Sequence, residues 1–385
     1  TDGAITRTAG TVTGGTVSLN AEEGIAATTA ATTLNAVNGA TGGDITITEA
    51  DDVTLGTVTN AFATGAVSIT TTSGTITTGA VAVTANNGII TLTANDTSVA
   101  NASPEGITVG AGGITSGGGA INLLAADDIA LGGDVNATAG TVTITADSAG
   151  QDVTTADTDG AITRTAGTVT GGTVNLNAEE GIAATTAAGT LNAVNGATGG
   201  AITITEADDV TLGTVTNAFA TGAVSVTTTS GTITTGAVAV TANNGIITLT
   251  ANDTSVANAS PEGITVGAGG ITSGGGAINL LAADDIALGG DVNATAGTVT
   301  ITADSAGQDV TTADTDGAIT DGNGATNNIT AGTVALTATE DIGAVADPLE
   351  ITVGSFSASG ANIYLANTGG VALAGITTAG DFSFT

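Results

Sequence analysis

No cysteine, methionine, tryptophan, histidine or lysine occurs in the 385 residues, and proline occurs only three times. Each absence excludes something. Without cysteine there are no disulfides and no thiolate metal sites. Without histidine the commonest general base and metal ligand is missing. Without lysine there is no Schiff-base nucleophile and no phosphate-loop lysine after the glycine-rich strings. Aromatic residues make up 2% of the chain, too few for a run of stacking platforms. Positive charge is nearly missing as well. Arg7 and Arg164 stand against 36 carboxylates, a formal charge of −34. Such a surface repels nucleic acid and anionic lipid and attracts counterions. No apolar run is long enough to cross a bilayer as a helix. The expected partners therefore include no nucleic acid, and no membrane insertion is expected.

What is present is β-forming. Hydrophobic residues are 41% of the chain and glycine contributes 60 residues. Val, Ile and Thr are stiff at χ1 and favour strands. The acidic balance is thus not that of a disordered tail, which lacks β-branched residues. The chain opens on Thr1 without an initiator methionine, shows no signal peptide, and reads as a piece of a longer protein.

Repetition dominates the pattern. Residues 1–157 recur as 158–314, and a third, divergent copy continues over 315–385. The two full copies differ at four positions: Ser18/Asn175, Thr32/Gly189, Asp44/Ala201 and Ile69/Val226. A shorter unit begins at each V-x-L triplet: Val17, Ile45, Val67, Ile90, Ile121, Val142 and Val174. The spacings are 28, 22, 23, 31, 21 and 32, which make six units per 157-residue repeat. Apolar and polar residues alternate inside each unit, so one face of every strand is buried. Acidic turns such as 49–52 and 125–128, and glycines such as Gly14-Gly15, Gly42-Gly43, Gly112-Gly113, Gly117-Gly118-Gly119 and Gly132-Gly133, read as corners. The stretch 96–105, with Pro104, reads as a loop that lengthens its unit.

One unit cannot bury its apolar face alone, but stacked units can. The pattern predicts an all-β, right-handed parallel β-helix (β-solenoid) of about 15 coils of roughly 20–35 residues, with in-register strands ~4.8 Å apart and a length of about 70 Å. The three repeats, 1–157, 158–314 and 315–385, form one continuing solenoid in this reading. An array of β-sandwiches requires modules of ~100 residues with core aromatics, and no such module is visible.

The strings DDVTLGTV, DDIALGGDV, GTVTITA, DPLEITVGSF and ANIYLANTGGVALAGI resemble the repeats of filamentous-haemagglutinin-like adhesins, giant bacterial surface proteins often described only as β-strand-repeat proteins. The resemblance implies a parallel β-helix, export to the bacterial cell surface, and a role in adhesion or matrix fibres. It carries no secretion domain with it.

The residues bear on three chemistries. Glycosidases need two convergent carboxylates. The pairs Glu22/Glu23, Asp51/Asp52 and Asp127/Asp128 are adjacent in sequence, so in a strand they point apart, and they recur in both copies as corners do. Ca²⁺ takes oxygen ligands from turns. Weak candidates are Asp51, Asp52, Asp127, Asp128 and Asp134, although neither the calcium β-roll nonapeptide nor a DxDxDG loop is present. Outward threonines such as Thr46/Thr48, Thr75/Thr77 and Thr141/Thr143/Thr145 form ladders that an ice-binding solenoid would also show; threonine is equally an ordinary outward strand residue. Asn95-Asp96-Thr97 and Asn136-Ala137-Thr138 match the N-glycosylation pattern. The expectation is a non-enzymatic, extracellular stalk or fibre segment without catalytic residues or a cofactor. Its partners would be neighbouring repeats, copies of itself, or host or cell-surface ligands reached through other regions. A self-assembling filament is the alternative, followed by a carbohydrate-active enzyme.

Overall fold

In the computed structural model the described residues are 3–97, 105–148, 150–151, 160–254, 262–305, 307–309 and 317–385. Every regular element among them is a β-strand. The chain divides into two compact units, Thr1–Ala187 and Ala188–Thr385, and the division falls inside the strand Ile182–Asn195. Each unit is a parallel β-solenoid, as the alternation and repeat predict.

In the first unit each turn of the coil contributes three short strands, and the turns stack as three parallel ladders. The first face carries Ile5, Ile25, Ile45, Val67, Ile90, Ile121, Val142 and Val174, each paired with the next. The second carries Val53, Ile76, Ile107, Ile129, Ile162 and Ile182. The third carries Leu19, Ala36, Val58, Val83, Ile114, Val135 and Val169. Inward positions alternate with outward ones over most of each strand, as in Ile45–Glu49, where the first, third and fifth residues are buried. Ile45, Val67, Ile90 and Ile121 are all 0% exposed, so each turn seals the aliphatic interior of the one before. Fully burying one such side chain stabilises by ~1.5–3 kcal/mol.

In the first unit pairing departs from the triplet spacing at one place. Val17-Ser18-Leu19 lies beside Leu34-Asn35-Ala36, not beside Ile45-Thr46-Ile47. An extra turn, built from Ile25–Asn38, sits between them. The sequence hides it because several of its inward positions are Ala and Thr: Ala27 is buried where the following turns place Ile47, Ile69 and Leu92, and Thr29 and Ala31 are buried as well.

That extra turn changes the meaning of the repeat. From Ile5 the first ladder takes six steps to Val142. Ile162, the repeat equivalent of Ile5, then lies not on the first face but on the second, beside Ile129. Leu19 behaves likewise: it is on the third face, and its equivalent Leu176 is on the first, beside Ile144. One 157-residue repeat therefore advances the coil by six turns and one face. The six-turn reading is corrected accordingly.

The second unit repeats the architecture. Its ladders run Ile202, Val224, Ile247, Ile278, Val299, Val334, Phe356; Val215, Val240, Ile271, Val292, Ile329, Ile351; and Val210, Ile233, Ile264, Ile286, Ile319. The last ladder continues through Ile342 and Ile363 to Phe382. At the final turn the core becomes aromatic, with the Phe356 and Phe384 rings 5.3 Å apart.

Most of the glycine pairs stand at corners, as expected. Gly43 and Gly113 adopt φ of +79° and +74°, where a Cβ is strained. Gly14-Gly15 is the exception, lying within the continuous strand Val12–Ala21.

Candidate functional site

The corners carry most of the polar chemistry, and a single rule describes many of them. An Asp immediately before a strand accepts, through Oδ1, the backbone N–H of the residue before the stacked strand of the next turn. Asp52, before Val53, holds Thr75 N at 2.8 Å. Asp128, before Ile129, holds Ala161 N at 2.8 Å. Asp134, before Val135, holds Thr168 N at 2.9 Å. Asp209 and Asp285 do the same for Thr232 N and Ala318 N. Corner N–H groups lie outside the ladder, and the aspartates satisfy them.

The five aspartates considered for Ca²⁺ are thus placed. Asp51 and Asp52 are exposed at the corner between the first and second faces; Asp127 and Asp128 occupy that same corner three turns further along; Asp134 lies at the corner between the second and third faces. Asp52, Asp128 and Asp134 act as caps, and Asp127 is 2% exposed and accepts Glu105 N at 2.5 Å. The structure does not bring the five together. Among the described residues no three acidic side chains converge as a metal site.

Other polar groups are buried that the sequence did not single out. Glu49, the last residue of its strand, points inward at 0% exposure. Its carboxylate accepts Thr29 Oγ1 at 2.7 Å, Ala31 N at 2.9 Å and Ala50 N at 3.0 Å. Asn38 and Asn60 are stacked at a corner: Asn38 Nδ2 donates to Asn60 Oδ1 at 3.0 Å, Asn38 Oδ1 accepts Gly24 N at 2.7 Å, and Asn60 Nδ2 donates to Ala66 O at 2.9 Å. Asn195 and Asn217 reproduce the stack in the second copy. The available signal was an Asn in the inward register at the end of an apolar strand, as in Val53–Asn60.

One acidic corner differs from the capping rule. Glu105 is 6% exposed, and its Oε2 has no hydrogen-bond partner. Burial, then the charges of Asp96, Asp127 and Asp52, push its carboxyl up to about 7. Glu262 repeats this in the second unit: 6% exposed, Oε2 without a partner, and pushed up to about 7 by burial and by Asp253, Asp284 and Asp209. Of the stretch 96–105, expected to be a loop, residues 98–104 lie outside the described residues.

A second acidic group lies near the end of the chain. Asp347 is raised mainly by the neighbouring charge of Asp321, and Glu350 mainly by burial. No helix in the described residues is long and apolar enough to cross a membrane.

The fold and corners define a parallel β-solenoid in which a set of corner aspartates caps the backbone of the next turn. In comparisons with known proteins, the chain matches no family model, no curated protein and no solved structure.

Proposed function

We infer that this chain is a structural repeat segment, the body of a stalk or fibre on an extracellular bacterial surface protein used in adhesion or matrix assembly. The adhesin-like resemblance of its repeats supplies the setting. The observation that carries the reading is the stepping of the repeat from face to face. A binding plane needs the same side chains on the same face along its length. Here the residues around Ile5 lie on the first face and their equivalents around Ile162 on the second. Such a repeat builds length and stiffness while offering no single repeated plane to a ligand or an ice lattice.

The corners support a non-enzymatic role. Asp52, Asp128 and Asp134 are held by backbone N–H groups, where a glycosidase would keep two carboxylates facing a substrate. The charge of −34 keeps parallel copies apart. Electron microscopy of the purified chain tests the reading. Isolated thin particles support a stalk; regular bundles or end-to-end polymers support the self-assembling filament instead. Cleavage of a polysaccharide by the chain would refute both.

A further inference from the structure

Glu105 and Glu262 occupy a corner setting that the capping aspartates Asp52, Asp128 and Asp134 do not share. Each sits just before a glycine that opens a second-face or equivalent strand, Ile107–Val109 and Ile264–Val266. Each is enclosed, with one carboxyl oxygen unpartnered. Among the described residues the charged groups facing Glu105 are acidic: Asp96 after the strand Ile90–Ala94, Asp127 after Ile121–Ala125, and Asp52 before Val53–Asn60. Asp96 and Asp127 are themselves 2% exposed. A charge on Glu105 would be buried beside these acids without a counter-charge, which is costly. The chain's two cations are not there: Arg7 and Arg164 are exposed, and their Nε atoms donate to Gly10 O and to Gly167 O. The arrangement recurs around Glu262 with Asp253, Asp284 and Asp209.

We propose that Glu105 and Glu262 fold as neutral carboxylic acids, so that each 157-residue copy carries one proton-dependent corner that is tight in acid and loosens as the proton leaves. The proton goes on the buried carboxyl, which removes one of the facing negative charges. The sign follows from burial. A carboxyl raised to about 7 in the folded chain, from 4.5, binds its proton more tightly folded than unfolded. Its stabilisation is complete below the unfolded value and is lost as pH rises through about 7. A stalk made of such copies would stiffen in acidic surroundings. The inference concerns the corner itself and does not depend on the proposed function.

The full chain and its Glu105→Gln/Glu262→Gln variant test this in EDTA, because glutamine keeps the shape and cannot ionise. Between about pH 5 and pH 8.5 the unfolding constant of each unit should rise roughly a hundredfold more in the parent than in the variant. Carbon-13 NMR of glutamate carboxyls should show two resonances titrating near 7 that the variant lacks. Should the double variant fail to fold, Glu105→Gln alone must remove one of the two resonances and leave the other. All glutamates titrating below about 5 would overturn the proposal. So would a stabilisation at about pH 8.5 by CaCl₂ that the variant lacks, since a metal would then hold the charge.

Discussion

Asp44 Oδ1 accepts the backbone N–H of Ala66 at 2.9 Å, joining two successive turns at a corner. In the second copy Ala201 stands where Asp44 does, and it offers no side-chain acceptor to Ala223. The two copies thus contain a natural deletion of one cap. Replacing Asp44 by Ala should cost ~1 kcal/mol, the usual net worth of a hydrogen bond, and Ala201→Asp should return a similar amount to the second unit. Urea denaturation of the parent and the two variants measures both.

The stacked pair Asn38 and Asn60 should be more sensitive. Asn60→Ala removes the acceptor of both Asn38 Nδ2 and Phe62 N, and the donor to Ala66 O. Losing these bonds at a buried corner should cost ~2–3 kcal/mol. Because the bond between the two asparagines is already lost in either single variant, the double variant Asn38→Ala/Asn60→Ala should cost less than the two single losses together. The same denaturation experiment reads the coupling.

Gly88 tests the close stacking of corners. A Cβ there would collide with the carbonyl oxygen of Gly65 in the preceding turn. Gly88→Ala should therefore lower the melting temperature well beyond the ~1 kcal/mol range of ordinary glycine changes. Gly15 is the control. A Cβ there meets nothing within 4 Å and lies inside a strand, so Gly15→Ala should be neutral or slightly stabilising. Differential scanning calorimetry of the two variants separates the cases.

Net charge makes a further demand. With 36 carboxylates against two arginines, folding draws carboxylates together with little compensation. Raising NaCl from about 10 mM to about 0.5 M should raise the melting temperature, because screening weakens the repulsion. A melting temperature that falls with salt would indicate stabilising ion pairs and contradict this account.

The sequence disclosed the stacking well because Ile, Val and Leu recur in register. Ile69 and Val226, which differ by one methylene, are both 0% exposed, as the triplet reading requires. Ser18 and Asn175 both face outward, bonding to Asn35 and Thr143. The turn Ile25–Asn38 was not legible, since Ala27, Thr29 and Ala31 carry no strong apolar signal. Missing that turn concealed the one-face step. At the corners the acidic turns were visible, but their purpose was not. Whether Asp52 caps a neighbouring N–H or faces a ligand depends on which residue lies one turn away, Thr75, and this register is a tertiary fact. Glu49 was read as part of a turn, because a lone inward glutamate looks like the start of a corner until Thr29 and Ala31 are seen beside it.

Disulfide trapping reaches the central claim, the one-face step, most directly, and the chain has no native cysteine to confuse it. Ala130 and Thr163 are outward neighbours on the second face, in register. Directly opposed strand residues lie within reach of a disulfide. The account predicts that Ala130→Cys/Thr163→Cys oxidises readily while Thr143→Cys/Thr163→Cys stays reduced. Were the repeat a whole number of turns, Thr163 would return to the first face and stack on Thr143, and the opposite pattern would contradict the account.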